Sequence, residues 1–169
     1  MLIMKKGLIA LFFALVTFVS NAQKASPAAS TTAKIGETTL TINYHQPAVN
    51  GRSVWDPAGS LAPFGKVWRT GANNAPTFEV SKDVTIEGKA LKAGKYAIFT
   101  IPGEKQWVII INKDFKQWGN YDYKESEDVL RVTVPAVATD MTERFTIKAE
   151  DSGKVTLAWD KLAASFVVK

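Results

Sequence analysis

Residues 94–112 read Gly94-Lys95-Tyr96-Ala97-Ile98-Phe99-Thr100-Ile101-Pro102-Gly103-Glu104-Lys105-Gln106-Trp107-Val108-Ile109-Ile110-Ile111-Asn112. Residues 98–101 and 108–111 are apolar on both faces, the pattern of central strands covered on each side. Between them, Pro102-Gly103-Glu104 supplies the fixed φ and the glycine that a tight reversal needs. The stretch predicts a hairpin at the centre of the core. Burying a branched or aromatic side chain contributes about 1.5–3 kcal/mol, and this segment offers more such side chains than any other.

Working outward, alternation recurs on both sides. From Thr38 to His45, Leu40, Ile42 and Tyr44 face one way while Thr39, Thr41, Asn43 and His45 face the other, which predicts a half-buried strand. Further strands are predicted over 77–80, 84–87, 95–101, 107–112, 129–134, 144–149, 155–159 and 164–168, punctuated by Gly88-Lys89, Ala93-Gly94 and Asp151-Ser152-Gly153. Outside the first 22 residues no segment carries a capped 3.6-residue period. The expected architecture is all-β: an antiparallel β-sandwich, jelly-roll-like, of about nine strands, forming one domain over residues 35–169.

The N-terminus has a different character. Lys5 and Lys6 precede an apolar run from Gly7 to Val19, and Ser20-Asn21-Ala22 then offers small residues at a cleavage site. This is the layout of a signal peptide over residues 1–22, a helix removed on export, and the run is too short to span a bilayer. Residues 23–34, rich in Ala, Ser and Thr, are expected to form a flexible leader. The chain has no Cys, so it has neither a disulfide nor a cysteine for lipid attachment, and a periplasmic or secreted, unanchored protein is expected.

Removing Lys5 and Lys6 from the 21 basic residues leaves 19 against 16 acidic, a net of +3. A nucleic-acid surface needs denser Arg and Lys on one face, so no nucleic-acid partner is expected. The lysines at 82, 89, 92, 95, 105 and 154 instead fall in or beside turns, where they keep strand edges solvated.

Residues 64–74, Phe64-Gly65-Lys66-Val67-Trp68-Arg69-Thr70-Gly71-Ala72-Asn73-Asn74, crowd Trp, Arg, Gly and Asn together without any period, which marks a specified loop rather than a core element. This loop, together with Pro47, Gly51-Arg52, Trp55, Pro63, Leu91 to Tyr96, Ile101-Pro102-Gly103, Trp107, Trp118-Gly119, Tyr121 and Asp128-Val129-Leu130-Arg131, resembles the family called domain of unknown function 2911. The resemblance covers the chain from Ser26 onward. It implies a β-rich extracytoplasmic domain of a secreted bacterial protein, and it brings no established activity or catalytic residue. Asn74 and Gln46 depart from the pattern by removing charge, so an acid role cannot be carried to position 74.

The chemistry must therefore be argued from the residues. His45 is the only histidine, no Gly-x-Ser-x-Gly turn exists, and one imidazole without any thiolate makes a poor transition-metal set. No catalytic residue, metal or cofactor is expected. Asp122, Glu125, Glu127 and Asp128 share a loop with Trp118, Tyr121 and Tyr123, an arrangement that glycoside hydrolysis uses and that a solvated loop also shows. Arg52, Arg69 and Arg131 stand out in a chain that otherwise prefers Lys, and the planar guanidinium suits either a structural tie or capture of an anion. Trp55, Trp68, Trp118 and Tyr121 lie in or beside loops, where rings either staple the loop or present a flat face to a sugar or an apolar ligand.

The ligand-binding candidates are thus Arg52, Trp55, Trp68, Arg69, Asn73, Trp118, Tyr121, Asp122, Asp128 and Arg131. The expected function is a non-enzymatic binding or interaction module of the cell envelope, with a glycan or other small molecule as partner. A small carbohydrate hydrolase using the loop carboxylates, or a structural subunit of an envelope complex, are the alternatives.

Overall fold

A computed structural model describes residues 26–58 and 61–169; the expected signal peptide and the start of the leader lie outside the described residues. Nine strands are present among the described residues: β1 (Ala28–Ile35), β2 (Thr38–His45), β3 (Thr77–Val80), β4 (Val84–Ile86), β5 (Lys89–Leu91), β6 (Gly94–Ile101), β7 (Gln106–Asn112), β8 (Asp128–Ala149) and β9 (Lys154–Val167). One 3-10 turn, Glu125–Glu127, precedes β8. Seven strands form an antiparallel sheet in the order β1-β2-β3-β6-β7-β8-β9, and β4 and β5 form a small hairpin. No helix among the described residues is long and apolar enough to cross a membrane.

The sheet curls over because β8 serves two neighbours. Its first part pairs with β7, as in Ile109↔Val132, and its last part pairs with β9, as in Ile147↔Leu157. Register breaks on either side of Thr142 separate the two parts, and such bulges let a strand bend sharply. The far half of β8 and β9 therefore lie across the rest of the sheet. Phe166 of β9 meets Phe78 of β3 with ring centroids 6.4 Å apart. At the margins, Ala48 pairs with Arg144, and the last residues join β4 through Thr85 and Lys169, which exchange N–H···O bonds of 2.7 and 3.0 Å.

The hairpin β6–β7 is central, as its composition predicts. Ile98, Ile109 and Ile111 face the main core, while Phe99 and Ile110 face a second cluster that Phe115 and Tyr123 cover from the following loop. The loop after β7 is thereby pinned to the outer face of the sheet.

Three expectations need correction. The strands expected at 129–134 and 144–149 are one continuous strand, as are those at 155–159 and 164–168, because a bulged strand crosses between layers without a loop. β5 went unrecognised because it is only three residues long. The flexible leader is mostly β1. It pairs with β2 along its length, from Ala28↔His45 to Ile35↔Thr38, around Gly36 at φ 59. Backbone ladder bonds hold it in place, supplemented by the packing of Ala29, Ala33 and Ile35, by Ala149 N–H donating to Thr31 Oγ1 (3.0 Å) and by Lys34 N–H donating to Asp151 Oδ1 (2.7 Å).

Gly153 closes the second layer. It reverses the chain between β8 and β9 at φ 86, its carbonyl accepts the Val168 N–H at 2.9 Å, and a Cβ there would run into the Val168 carbonyl oxygen. Gly153→Ala is therefore expected to cost about 2–4 kcal/mol in urea denaturation by detaching the chain end from β4. An unchanged midpoint would contradict this closure.

Candidate functional site

The connection between β2 and β3, described over residues 46–58 and 61–76, forms no strand over those residues, yet they are held in place. Trp55 and Trp68 turn inward and join Trp107 of β7 and Trp159 of β9: Trp68 stacks on Trp159 at 5.5 Å and 11°, and Trp55 meets Trp107 edge-on at 5.4 Å. Phe64 stacks on Trp55 at 5.7 Å, and Phe145 lies against Trp68 at 5.0 Å. Trp55 also donates from Nε1 to Asp160 Oδ2 at 3.1 Å. Aromatic pairs of this kind contribute about 0.5–1.5 kcal/mol each beyond area burial. Trp55 and Trp68 are buried, so both leave the set of ligand-binding candidates: they hold the loop from beneath and present no face to solvent.

What they hold up is the turn 69–74. Trp68 is anchored to β6 by two bonds with Thr100, N–H to O at 2.7 Å and O to N–H at 3.1 Å. Thr70 then adopts φ 54, costly for a β-branched residue, and is held there by hydroxyl bonds to Trp68 O (3.2 Å) and Thr100 Oγ1 (3.1 Å). Gly71 passes so close to the end of β2 that a Cβ would stand 2.9 Å from the His45 carbonyl oxygen. Asn73 is also left-handed, at φ 59. Two strained non-glycine residues in so short a turn, both over-determined by their surroundings, mark a conformation that the fold maintains deliberately.

The turn meets the loop that follows β7. Asn74 pairs with Trp118, Gly119 N–H donates to Asn73 O at 2.9 Å, and Ala75 N–H donates to Gln117 O at 3.1 Å. Asn120 Nδ2 donates to Val67 O at 2.7 Å. Residues directly opposite in an antiparallel pair place their side chains on one face, with Cβ atoms about 4.5–5.5 Å apart, so Trp118 and Asn74 share a face of this bridge. Trp118 is 61% exposed and Tyr121 is 79% exposed. Of the five tryptophans, four are committed to the core, and Trp118 alone has its ring in water. Below Asn74 opens a cleft of about 410 Å³ walled by β1 and β2. Its polar lining is Ser30, Asn43, His45, Asn74 and Thr77, hydroxyls, amides and one imidazole with no carboxylate among them, and Tyr44 and three alanines supply the apolar part.

The remaining candidates divide. Arg69 and Asn73 belong with Trp118 and Tyr121. Arg52 serves as a clip for its own loop, donating from Nε to Val49 O (3.1 Å) and from Nη2 to Ala48 O (2.6 Å). Asp128 and Arg131 bind one another rather than the cleft. Asp128 Oδ2 accepts from Arg131 Nε (2.6 Å) and the Tyr123 hydroxyl (2.7 Å), while Oδ1 accepts from Asn112 Nδ2 (2.8 Å). Glu125 reaches Arg131 at 3.3 Å and Glu127 reaches Lys113 at 2.9 Å, so three of the four loop carboxylates face cations. Asp122 is exposed. No group of three or more residues able to hold a metal occurs among the described residues.

Sequence reasoning missed Asn43, Asn74 and the β1 wall. The alternation of β2 does place Asn43 and His45 on the polar face, but the partner that turns this face into a cleft is β1, which low hydrophobicity conceals.

Burial pushes the Tyr123 phenol up from its ordinary value near 10 to about 12, and the adjoining Asp128 carboxylate adds to the shift. A folded value above the unfolded one contributes stability fully below pH ~10, lost as pH rises through ~12. Phenolate absorbance should show an ionisation step near pH 12 that Tyr123→Phe removes. Absence of a step near pH 12, or its survival in Tyr123→Phe, would contradict the arrangement.

No curated protein and no solved structure matches the chain. The family model described as "Protein of unknown function (DUF2911)" matches residues 26–168, and the chain belongs to that family.

Proposed function

We propose that this chain is an exported, non-catalytic binding module that takes a saccharide in the cleft beside Trp118. One juxtaposition carries the reading: the exposed Trp118 is bridged through its backbone to Asn74, and Asn74 lines a cleft of amides and hydroxyls. Pyranose rings offer an apolar C–H face for stacking and a rim of hydroxyls for neutral donors and acceptors, and the lining matches both. The volume lies within the roughly 300–1,000 Å³ of small-molecule clefts. The strained, over-determined turn keeps the rim in one conformation, which lowers the entropic cost of binding.

The absence of charge from the lining favours recognition over catalysis, because hydrolysis needs two free carboxylates flanking the bond and three of the four loop carboxylates are tied to cations. Export follows from the signal-peptide layout of residues 1–22.

A glycan array probed with the protein should retain a chemically related subset of oligosaccharides. Trp118→Ala should weaken that retention about tenfold, equivalent to ~1.4 kcal/mol of stacking. Its thermal midpoint should hardly move, because the ring is exposed. An empty array, or Trp118→Ala binding like the parent, would overturn the proposal.

A further inference from the structure

We propose that the saccharide bound beside Trp118 bears a carboxylate and that Arg69 captures it; this deepens the saccharide reading above and rests on it. The chain has four arginines, and two of them are firmly engaged. Arg52 donates to two carbonyls of its own loop, and Arg131 is bound by Asp128, Glu125 and Tyr123, whereas Arg144 makes a single bond to Gln46 O at 3.3 Å. Arg69 is as lightly held as Arg144, but it stands at the Trp118 loop, against Gly119. Its one bond among the described residues runs from Nε to Gly71 O at 3.4 Å, the outer limit of a hydrogen bond, and no carboxylate of the described residues lies within salt-bridge distance of it. The remaining donors of a half-buried guanidinium are thus uncommitted, at a position where the fold holds the backbone rigid.

Gly119 lets the Arg69 and Tyr121 side chains come together over the loop backbone. A Cβ built there would stand 3.3 Å from Arg69 Nη1 and 3.2 Å from the Tyr121 ring, so the guanidinium and the exposed phenol ring meet over bare backbone immediately after Trp118. The cleft lining contains no acidic group to repel an anion. Glu125, Glu127 and Asp128 are paired with their own cations, and the exposed Asp122 makes no ion pair among the described residues. A planar five-donor fork matches the two coplanar oxygens of a carboxylate in a way that a lysine would not. A uronic acid residue combines that group with a pyranose face, the two features that Arg69 and Trp118 are built to meet.

The test uses protein expressed from the full chain, titrated calorimetrically with oligogalacturonate, oligomannuronate and oligoglucuronate. Each is compared with its methyl ester, which keeps the skeleton and removes the charge, and with a sulfated neutral oligosaccharide. At least one free acid should bind about tenfold or more tightly than its ester. Arg69→Gln should abolish that preference while ester binding survives, and Arg69→Lys should restore only part of it. Equal binding of acid and ester, a preference unchanged in Arg69→Gln, or tighter binding of the sulfated probe would overturn the carboxylate assignment. If acid and ester bind equally and Trp118→Ala weakens both, only this inference falls. If no saccharide binds, the saccharide reading falls with it.

Discussion

A connection between strands that makes only isolated bridges over its described residues, 46–58 and 61–76, would ordinarily be loose, because so little backbone pairing does not repay the entropy of ordering it. It is ordered here because Trp55 and Trp68 leave the surface and pack against Trp107 and Trp159 between the two layers. These contacts join a loop to one strand of each layer, so they fix the loop and the layer spacing together. Truncating a core aromatic of this size typically costs 3–5 kcal/mol, a large share of a domain's net stability. The turn 69–74 and the loop bearing Trp118 inherit their positions from that cluster.

Strain at the rim follows from the same constraint. Thr70 can be held at φ 54 only because Trp68 on one side and Gly71 on the other are immobile, the first in the aromatic cluster and the second against the His45 carbonyl. Asn112 plays the corresponding part at the far end of the Trp118 loop: it is wholly buried, donating to Lys124 O and Asp128 Oδ1 and accepting from the Asp114 N–H. The rim is thus a rigid platform with two exposed rings and one uncommitted cation, which is the arrangement expected where recognition depends on preorganisation.

Much of the fold was legible. Residues 98–101 and 108–111 read as doubly covered strands because both faces are apolar, and they are; residues 77–80 coincide with β3 because Phe78 and Val80 alternate with polar neighbours. The single strand through 128–149 was not legible, since residues 135–143 are mostly exposed and carry no apolar alternation where the strand bends between layers. Nor was β1, whose small side chains need only a partner's backbone. The candidate site was half legible for the same reason. Arg69, Asn73, Trp118 and Tyr121 stand out by residue type, whereas the inward turn of Trp55 and Trp68, and the cleft between β1, β2 and Asn74, are long-range outcomes that no local pattern encodes.

Native-state hydrogen exchange tests most directly whether the irregular connection is part of the core. The Trp68 N–H bonds to Thr100 O, the Ala62 N–H to Val54 O and the Ala75 N–H to Gln117 O. If the indole cluster holds the connection, these amides exchange with the same opening free energy as the Phe99 and Ile110 amides, which pair across the central hairpin, through global unfolding alone. Exchange of Trp68 and Ala62 through a much cheaper local opening, with the hairpin still protected, would show that the connection is a detachable flap and that the rim above it is not preorganised.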